Sequence, residues 1–315
     1  MSMLHEAVAG DQDGFRFNFM SDEGVTPASA QPAQPSGEAV AVEVNAGGRV
    51  SRGSIDLDEV SVHPELTLLK RRLTSEDAAE LLGESEITGN DLIPGKYEGG
   101  FKLWECAVDL ASFLSKEWQI GMRLGPGPMK GPSMGQTLSG KRVLELGCGH
   151  GLPGIVALIN GAEVHFQDFN SQVLEGVTAP NIEANLASLP GEVQQACGSP
   201  RYFAGDWEGV GRLVTKQRTG ATYDLVLSSE TLYNLESQEV LLSCLTQALC
   251  PPHGEAYLAS KKFYFGVGGG TAAFRKLVRR QGIFECKTVA NVDDGKSNKR
   301  EILRLSFPQS IAGFF

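Results

Sequence analysis

The sequence has few cysteines, and none of them has the spacing of a metal site. Six cysteines are distributed irregularly over 315 residues, without a CxxC pair: Cys106, Cys148, Cys197, Cys244, Cys250 and Cys286. Zinc sites and the disulfide frameworks of secreted proteins both need regular cysteine spacing. We therefore expect no metal site, and we expect reduced thiols in a protein of the cytoplasm or the nucleus.

Basic residues are fewer than acidic residues. Lys and Arg number 28 against 38 Asp and Glu, so the formal net charge is −10. A chain of this charge repels phosphate, which argues against direct nucleic-acid binding and favours a basic protein partner.

Long apolar runs are absent as well. No run is long enough to cross a bilayer. The first residues, MSMLHEAVAGDQDG, lack the basic start and the apolar core of a secretory signal. We therefore expect a protein that acts away from membranes. We also expect a monomer.

The N-terminal part of the chain lacks the periodic pattern of a folded domain. Residues 26–37, TPASAQPAQPSG, contain too few apolar side chains to offset the entropy of ordering. We predict a largely disordered tail over residues 1–60 and a folded domain over 61–315. Phe15 to Phe19 is an exception, because its three aromatic residues indicate a segment that docks on the body or on a partner.

The folded domain is predicted to begin with a helical extension. Ser75–Leu82 has acidic residues in its first turn, and Leu103–Leu114 carries apolar residues at helical spacing. The segment 121–140 is rich in Gly, Pro and Met and is predicted to form a long loop.

Strands and helices alternate from residue 142 onwards. The predicted strands are Arg142–Leu146, Glu163–Asp168, Arg201–Ala204, Tyr223–Ser228, Gly254–Ser260, Phe284–Val292 and Glu301–Phe307. The predicted helices are Gly151–Asn160, Ser171–Ser188, Trp207–Gln217, Ser237–Cys250 and Thr271–Gln281. This pattern predicts an α/β fold with a doubly wound, mostly parallel seven-stranded sheet. The short loop before the last strand permits only an antiparallel pair, so the sheet should end in a hairpin.

A glycine-rich turn follows the first of these strands, in VLELGCGHGLPG over 143–154. Gly147, Gly149 and Gly151 allow a ligand to approach bare backbone, as in sites for dinucleotides and for S-adenosylmethionine. Glu145 would repel a pyrophosphate, whereas the ammonium and sulfonium of S-adenosyl-L-methionine tolerate a carboxylate. This residue favours S-adenosylmethionine.

The ends of the next two strands support a nucleoside cofactor. Asp168 lies 21 residues after Gly147, the spacing at which a carboxylate binds ribose hydroxyls. Gln167 and Phe169 are predicted to flank the adenosine. The Gly205-Asp206-Trp207 stretch is predicted to meet the adenine, with Asp206 as acceptor and Trp207 stacked. Helix capping by the acidic residues and core packing of the aromatic ones remain alternatives.

Several segments resemble one family. LELGCGHG (144–151) is similar to the first motif of class I, seven-strand methyltransferases, and ETLY (230–233) resembles the ExxY motif of a protein-modifying subgroup. The more specific segments are YEGGFKLWEC (97–106), HFQDFN (165–170), AGDW (204–207), SSETLYN (228–234) and ASK through YFGVGGG (259–270). On these motifs, which cover 95–308 almost continuously, the chain resembles the histidine protein methyltransferases. The loop over 116–140 is longer than the family pattern.

This resemblance implies an activity and additional site residues. The activity is methyl transfer from S-adenosylmethionine to the tele nitrogen of a histidine in a large-subunit ribosomal protein. Ser229 should reach the cofactor, while Glu230 and Tyr233 should face the acceptor and orient its imidazole. The segment expected to close over the cofactor consists of Leu103, Trp104, Glu105, Cys106 and Ala107.

Three other functions remain open from the residues alone. One is a protein lysine methyltransferase of the same fold. Another is a non-catalytic S-adenosylmethionine-binding chaperone of a basic protein, against which the intact glycine, aspartate and ExxY positions argue. The last is a nicotinamide enzyme, which Glu145 and the predicted terminal hairpin disfavour.

Overall fold

A computed structural model of the chain describes residues 41–46, 55–83, 92–93, 95–120, 138–216, 223–264, 266, 268–295 and 298–310. The strands are β1 (Val42–Val44), β2 (Leu57–His63), β3 (Leu66–Arg71), β4 (Arg142–Leu146), β5 (Glu163–Asp168), β6 (Pro200–Ala204), β7 (Leu225–Ser229), β8 (Glu255–Lys261), β9 (Glu285–Val292) and β10 (Arg300–Ser306). The α-helices are α1 (Ser75–Leu82), α2 (Glu105–Glu117), α3 (Leu152–Ile159), α4 (Ser171–Val173), α5 (Ala179–Ser188), α6 (Gly191–Ala196), α7 (Trp207–Lys216), α8 (Leu235–Ala248) and α9 (Thr271–Gln281). None of the helices in these residues is long and apolar enough to span a bilayer.

The main sheet confirms the predicted fold class. Its strand order is β1-β6-β5-β4-β7-β8-β10-β9, and the five central strands β6, β5, β4, β7 and β8 are parallel. β10 lies between β8 and β9 and is antiparallel to both. β9 and β10 form the predicted hairpin. The observed strands differ from the predicted ones by one or two residues at most ends.

The burial of each strand follows from its position in the sheet. β4 lies in the middle with helices on both faces, and its residues from Val143 to Leu146 are buried. β9 lies at the edge, and its residues alternate strictly between exposed and half-buried. A continuous apolar run in the first case and alternation in the second are the patterns that these two environments require.

Additional strands precede the predicted domain core. β1 adds to the sheet edge antiparallel to β6, so the sheet has eight strands rather than seven. β2 and β3 form a hairpin in a stretch for which no strand was predicted. β1 and the start of β2 lie within the stretch interpreted as tail. Residues 1–40, including Phe15 to Phe19, lie outside the described residues, as do residues 47–54 of the predicted tail and 121–137 of the predicted loop.

Two asparagines attach the hairpin to α5. Asn185 Oδ1 accepts from the Leu69 N–H at 2.9 Å, and Asn181 Oδ1 accepts from the Arg71 N–H at 2.6 Å. The side chains therefore satisfy part of the open edge of β3, which otherwise exposes unpaired backbone groups.

The single helix predicted over 171–188 is interrupted. Leu174–Thr178 between α4 and α5 forms a π-helical turn. The Thr178 hydroxyl donates to the Gly149 carbonyl at 2.7 Å, so this turn contacts the glycine-rich segment after β4. π-turns occur often at functional sites, which is consistent with this position.

Candidate active site

A cavity opens at the carboxyl ends of β4, β5, β6 and β7. In parallel α/β sheets this edge is the usual ligand site, because the loops that follow the strands meet there. Most of the predicted site residues line the cavity, namely Leu103, Trp104, Ala107, Gly147, Gly149, Gln167, Asp168, Phe169, Gly205, Asp206, Trp207, Ser229, Glu230 and Tyr233.

The glycine-rich turn after β4 forms one wall of the cavity. Gly147 and Gly149 have φ angles of 61° and 48°, which non-glycine residues rarely adopt. A Cβ atom on Gly147 would lie 2.7 Å from Cγ2 of Thr231. The turn thus requires glycine both for its conformation and for the space between it and the loop after β7.

Gln167 connects the glycine-rich turn to the loop after β6. Its Oε1 accepts from the Gly147 N–H and from Trp207 Nε1, both at 3.1 Å. Its Nε2 donates to the Gly205 carbonyl at 2.7 Å. The side chain is buried, so its contribution is to hold the walls of the cavity at a defined separation.

Asp168 lines the cavity at the end of β5 and is buried. Its Oδ2 accepts from the Gly149 N–H at 2.9 Å, and its Oδ1 accepts from the Asn170 N–H at 3.2 Å. Burial, partly opposed by these backbone donors, raises the pKa of Asp168 to about 6. A carboxylate at this position can accept hydrogen bonds from the two hydroxyls of a ribose.

Aromatic and acidic side chains surround the adenine side of the predicted site. Phe169 is half-buried and faces the cavity, which favours stacking over core packing. Asp206 Oδ1 accepts from the Gly209 N–H at 2.6 Å, so the carboxylate caps α7 and also lines the cavity. The two roles considered for Asp206 are therefore compatible.

A loop over residues 95–101 covers the glycine-rich turn. A Cβ atom on Gly149 would lie 3.2 Å from the Gly100 carbonyl oxygen, so the two backbones are in close contact. His150 Nε2 donates to the Phe101 carbonyl at 2.9 Å, and Trp104 Nε1 donates to the Gly99 carbonyl at 3.0 Å. Burial lowers the pKa of His150 to about 4, so the imidazole that donates to the Phe101 carbonyl is neutral.

Glu230 follows β7 in a left-handed conformation, with a φ angle of 57°. Its carboxylate accepts a hydrogen bond from the Tyr264 hydroxyl, and its Oε1 lies 3.7 Å from Lys261 Nζ. Only 6% of its side chain is exposed. A non-glycine residue in this conformation is strained, as is common where a side chain must be placed for function.

Three predicted cofactor contacts do not line the cavity. Glu105 is half exposed and lies 3.6 Å from Lys261 Nζ, and Cys106 is fully buried beside Glu230. Glu145 is also fully buried, and its Oε2 accepts from the Gly154 N–H at 2.8 Å in the first turn of α3. Burial raises the pKa of Glu145 well above its usual range. Glu145 therefore supports the turn from behind, and the sequence argument from phosphate repulsion does not apply to it.

Other lining residues were not predicted: Glu98, Gly99, Gly100, Cys148, His150, Thr231, Ser237 and Val240. Glu98 to Gly100 belong to the segment 97–106 that resembles the histidine protein methyltransferases. That resemblance is the feature of the sequence that indicates their place in the site. Cys148 and His150 lie between the glycines of the turn. No sequence pattern indicates Ser237 and Val240 as site residues, because only the packing of α8 brings them to the cavity.

The charge of the cavity distinguishes between the cofactor classes. Four carboxylates line it, those of Glu98, Asp168, Asp206 and Glu230, and no lysine or arginine is found among its described lining residues. A dinucleotide pyrophosphate would be repelled, whereas a cationic ligand is favoured. The residues present therefore fit S-adenosylmethionine.

The fold is that of the class I methyltransferases, and the cavity fits their cofactor, S-adenosylmethionine. The chain belongs to the lysine methyltransferase family, whose sequence profile matches residues 94–264. It is 41% identical over 223 residues to a histidine protein methyltransferase 1 homolog of Dictyostelium discoideum, covering 71% of this chain and 62% of the relative. The homolog from Rattus norvegicus is 37% identical over 255 residues, covering 76% and 64%. These similarities confirm the resemblance and the predicted cofactor.

The chain is also similar to a lysine methyltransferase and to a solved methyltransferase structure. EEF1A lysine methyltransferase 3 of Mus musculus is 38% identical over 177 residues, covering 56% of this chain and 61% of the relative. A solved structure, a putative SAM-dependent methyltransferase from Streptococcus mutans, is 12% identical with a TM-score of 0.49, covering 81% of this chain and 56% of that chain. The chain spans less than two thirds of the length of each of these proteins.

Proposed function

We propose that this protein transfers a methyl group from S-adenosylmethionine to the tele nitrogen of a histidine in a basic protein, specifically a large-subunit ribosomal protein. The observation that carries the proposal is the acidic cavity at the carboxyl ends of the parallel strands, in a chain 41% identical to a histidine protein methyltransferase 1 homolog. We further propose that it acts as a monomer in the cytoplasm or the nucleus.

The proposed cofactor contacts follow from the cavity walls. Gly147 and Gly149 would lie against the methionine and ribose portions, and Asp168 would bind the ribose diol. Phe169 and Asp206 would contact the adenine on the other side. Trp104, which donates to the Gly99 carbonyl, would close the site from above together with loop 95–101.

The proposed chemistry depends mainly on positioning. When bound, S-adenosylmethionine supplies a methyl group on a sulfonium, which needs no further activation. The protein must bring a neutral ring nitrogen into line with that group and exclude water. The acidic lining of the cavity favours the positive charge that passes to the imidazole during transfer.

The same carboxylates favour a histidine acceptor over a lysine. A neutral imidazole already carries a free lone pair, whereas an ammonium must first lose a proton. Carboxylates close to an ammonium raise its pKa and oppose that loss. The acidic lining is therefore better matched to an acceptor that is neutral before transfer.

The decisive experiment identifies the methylated amino acid. The protein is incubated with labelled S-adenosylmethionine and large ribosomal subunits from cells in which its gene is deleted, and the labelled protein is then hydrolysed. We expect tele-methylhistidine. The control variant Asp168→Asn should bind S-adenosylhomocysteine more weakly by about tenfold or more and should incorporate correspondingly less label.

A lysine acceptor is the second candidate, because the family profile and the mouse EEF1A enzyme both carry that description. Recovery of methyl-lysine in the same hydrolysate would replace the proposed function with this one. Absence of label, with intact binding of S-adenosylhomocysteine, would support the non-catalytic binding module.

A further inference from the structure

Tyr233 makes a hydrogen bond at the cavity to a residue that is distant in the chain. Its hydroxyl donates to Oε2 of Glu98 in loop 95–101. Both side chains line the cavity in half-buried positions, whereas Asp168 is buried. The exposed Val240 lies in the same lining. The Glu98–Tyr233 pair is therefore more accessible than Asp168, so an acceptor side chain can reach it.

This hydrogen bond determines what the phenol can offer to a ligand. A phenol has one hydrogen, and Tyr233 gives it to Glu98, so its oxygen remains as an acceptor only. Burial and the neighbouring carboxylates of Glu98 and Asp168 raise the pKa of Tyr233, so the phenol keeps its hydrogen at neutral pH.

Glu98 is itself held in a defined orientation. Its Oε1 accepts from the Gly95 N–H at 2.9 Å, and its backbone N–H donates to Asn170 Oδ1 at 3.3 Å. Glu230, by contrast, is engaged with Tyr264 and lies near Lys261, with 6% of its side chain exposed. Glu98, rather than Glu230, is therefore the carboxylate coupled to Tyr233.

A neutral imidazole matches an acceptor of this kind. One ring nitrogen carries a hydrogen and the other a lone pair, on different edges of the ring. When the N–H donates to an oxygen at the rim, the opposite lone pair is directed away from that oxygen. A lysine amine carries hydrogens and lone pair on one atom, so the same contact does not direct its lone pair in this way.

We propose, on the basis of the function proposed above, that Tyr233 accepts a hydrogen bond from the pros N–H of the acceptor histidine. Glu98 is a positioning residue that keeps the phenolic hydrogen turned away from the ring. The tele nitrogen then forms the new bond to the methyl carbon, the electrons of the broken carbon–sulfur bond remain on sulfur, and the ring releases its pros proton to water.

The test compares Tyr233→Phe and Glu98→Gln with the wild type. Phenylalanine removes the acceptor oxygen, and glutamine replaces the carboxylate by an amide that can donate to the phenol and release its hydrogen. Tyr257→Phe is the matched control, because the Tyr257 hydroxyl donates to Glu255 Oε2 at 3.2 Å and neither residue lines the cavity. The measurements are kcat and KM with large ribosomal subunits, Kd for S-adenosylhomocysteine, and the ratio of tele- to pros-methylhistidine.

We expect Tyr233→Phe and Glu98→Gln each to lower kcat by about tenfold or more and to lower the tele-to-pros ratio. Their Kd for S-adenosylhomocysteine should stay within about threefold of wild type, and Tyr257→Phe should behave as wild type. Because only an orienting role changes the methylated nitrogen, that ratio separates it from a structural role.

Unchanged kcat and product in Tyr233→Phe would overturn the inference. Loss of S-adenosylhomocysteine binding in that variant would overturn it too, since the pair would then hold the cofactor. If Glu98→Gln fails to fold, Tyr233→Phe decides alone. Methyl-lysine from the wild type would instead overturn the proposed function, and the two failures are thereby distinguishable.

Discussion

At the scale of single residues, Asp168 is the clearest link between structure and cofactor binding. It is buried at the end of β5, and its carboxylate oxygens accept hydrogen bonds from the Gly149 and Asn170 N–H groups. Those donors favour the ionised carboxylate. They do not fully offset the effect of burial, which raises the pKa of Asp168. The carboxyl group therefore changes its charge at a pH where ligand binding by the protein can be measured.

Cofactor affinity should fall below the raised pKa of Asp168, which is about 6. A ribose diol donates to the ionised carboxylate, so binding is strongest above that pH and weakens as the group is protonated. We expect Kd for S-adenosylhomocysteine, measured by calorimetry, to be about tenfold higher at pH 5 than at pH 7. Asp168→Asn should bind weakly at both values. An equally steep pH dependence in that variant would assign the effect to another group.

The sequence was informative at this scale where a residue type is tied to a backbone requirement. Gly147, Gly149 and Asp168 were predicted because a tight turn needs positive φ and a ribose needs a carboxylate after the next strand. Glu145 was misplaced because the sequence indicates a strand but not which face meets the ligand. Glu98 was not predicted as a site residue, since its contact to Tyr233 joins positions 135 residues apart.

At the scale of elements, a buried arginine joins α2 to β10. Arg300 Nε lies 2.5 Å from Asp109 Oδ2, and the guanidinium also contacts Asp294 at 3.1 Å. The side chain of Arg300 is 6% exposed and that of Asp109 is 15% exposed. Burial raises the pKa of Asp109 despite the opposing effect of Arg300. The ion pair thus fixes α2, whose first-turn residue Ala107 lines the cavity, against the terminal hairpin.

Removing only the arginine should destabilise the fold strongly. Arg300→Met leaves a buried carboxylate without its cation, and we expect it to lower the free energy of unfolding by about 3 kcal/mol. Because the pKa of Asp109 in the folded state then rises further, its protonated form stabilises folding at low pH and that contribution is lost as the pH rises. Urea denaturation should therefore show a larger loss at pH 8 than at pH 5.

The double variant Arg300→Met, Asp109→Leu provides the control for that measurement. It removes both charges, so it should be more stable than Arg300→Met alone. A double variant as unstable as the single one would mean that packing of the arginine, rather than the charge of Asp109, is responsible.

The elements themselves were predictable to different degrees. The strands from β4 to β10 were found because parallel strands buried on both faces give continuous apolar runs between turn residues. The short β1 and the β2–β3 hairpin were missed, because their stability comes from contacts with β6 and with α5 rather than from local pattern. The π-helical turn at Leu174–Thr178 had no signal either, since its bond to Gly149 is tertiary.

At the scale of the whole molecule, the net charge of the chain and the charge of the described cavity lining are both negative. The chain carries a net charge of −10, and the described cavity lining contains four carboxylates without a lysine or arginine. Such a field attracts a basic macromolecule over distances comparable with the Debye length, before any specific contact forms. It contributes to the rate of encounter more than to the chemical step.

This charge distribution predicts that turnover of a basic protein substrate depends on salt. We expect kcat/KM for purified large-subunit ribosomal proteins to fall by roughly tenfold between about 50 mM and about 300 mM NaCl, through KM, because screening removes long-range attraction. Free proteins are preferable to assembled subunits here, since salt also changes ribosome integrity. Binding of S-adenosylhomocysteine, a small ligand held by short-range contacts, should change by less than about twofold and serves as the control. A salt-independent KM would show that the acidic surface does not steer the acceptor, and the net charge would then reflect solubility alone.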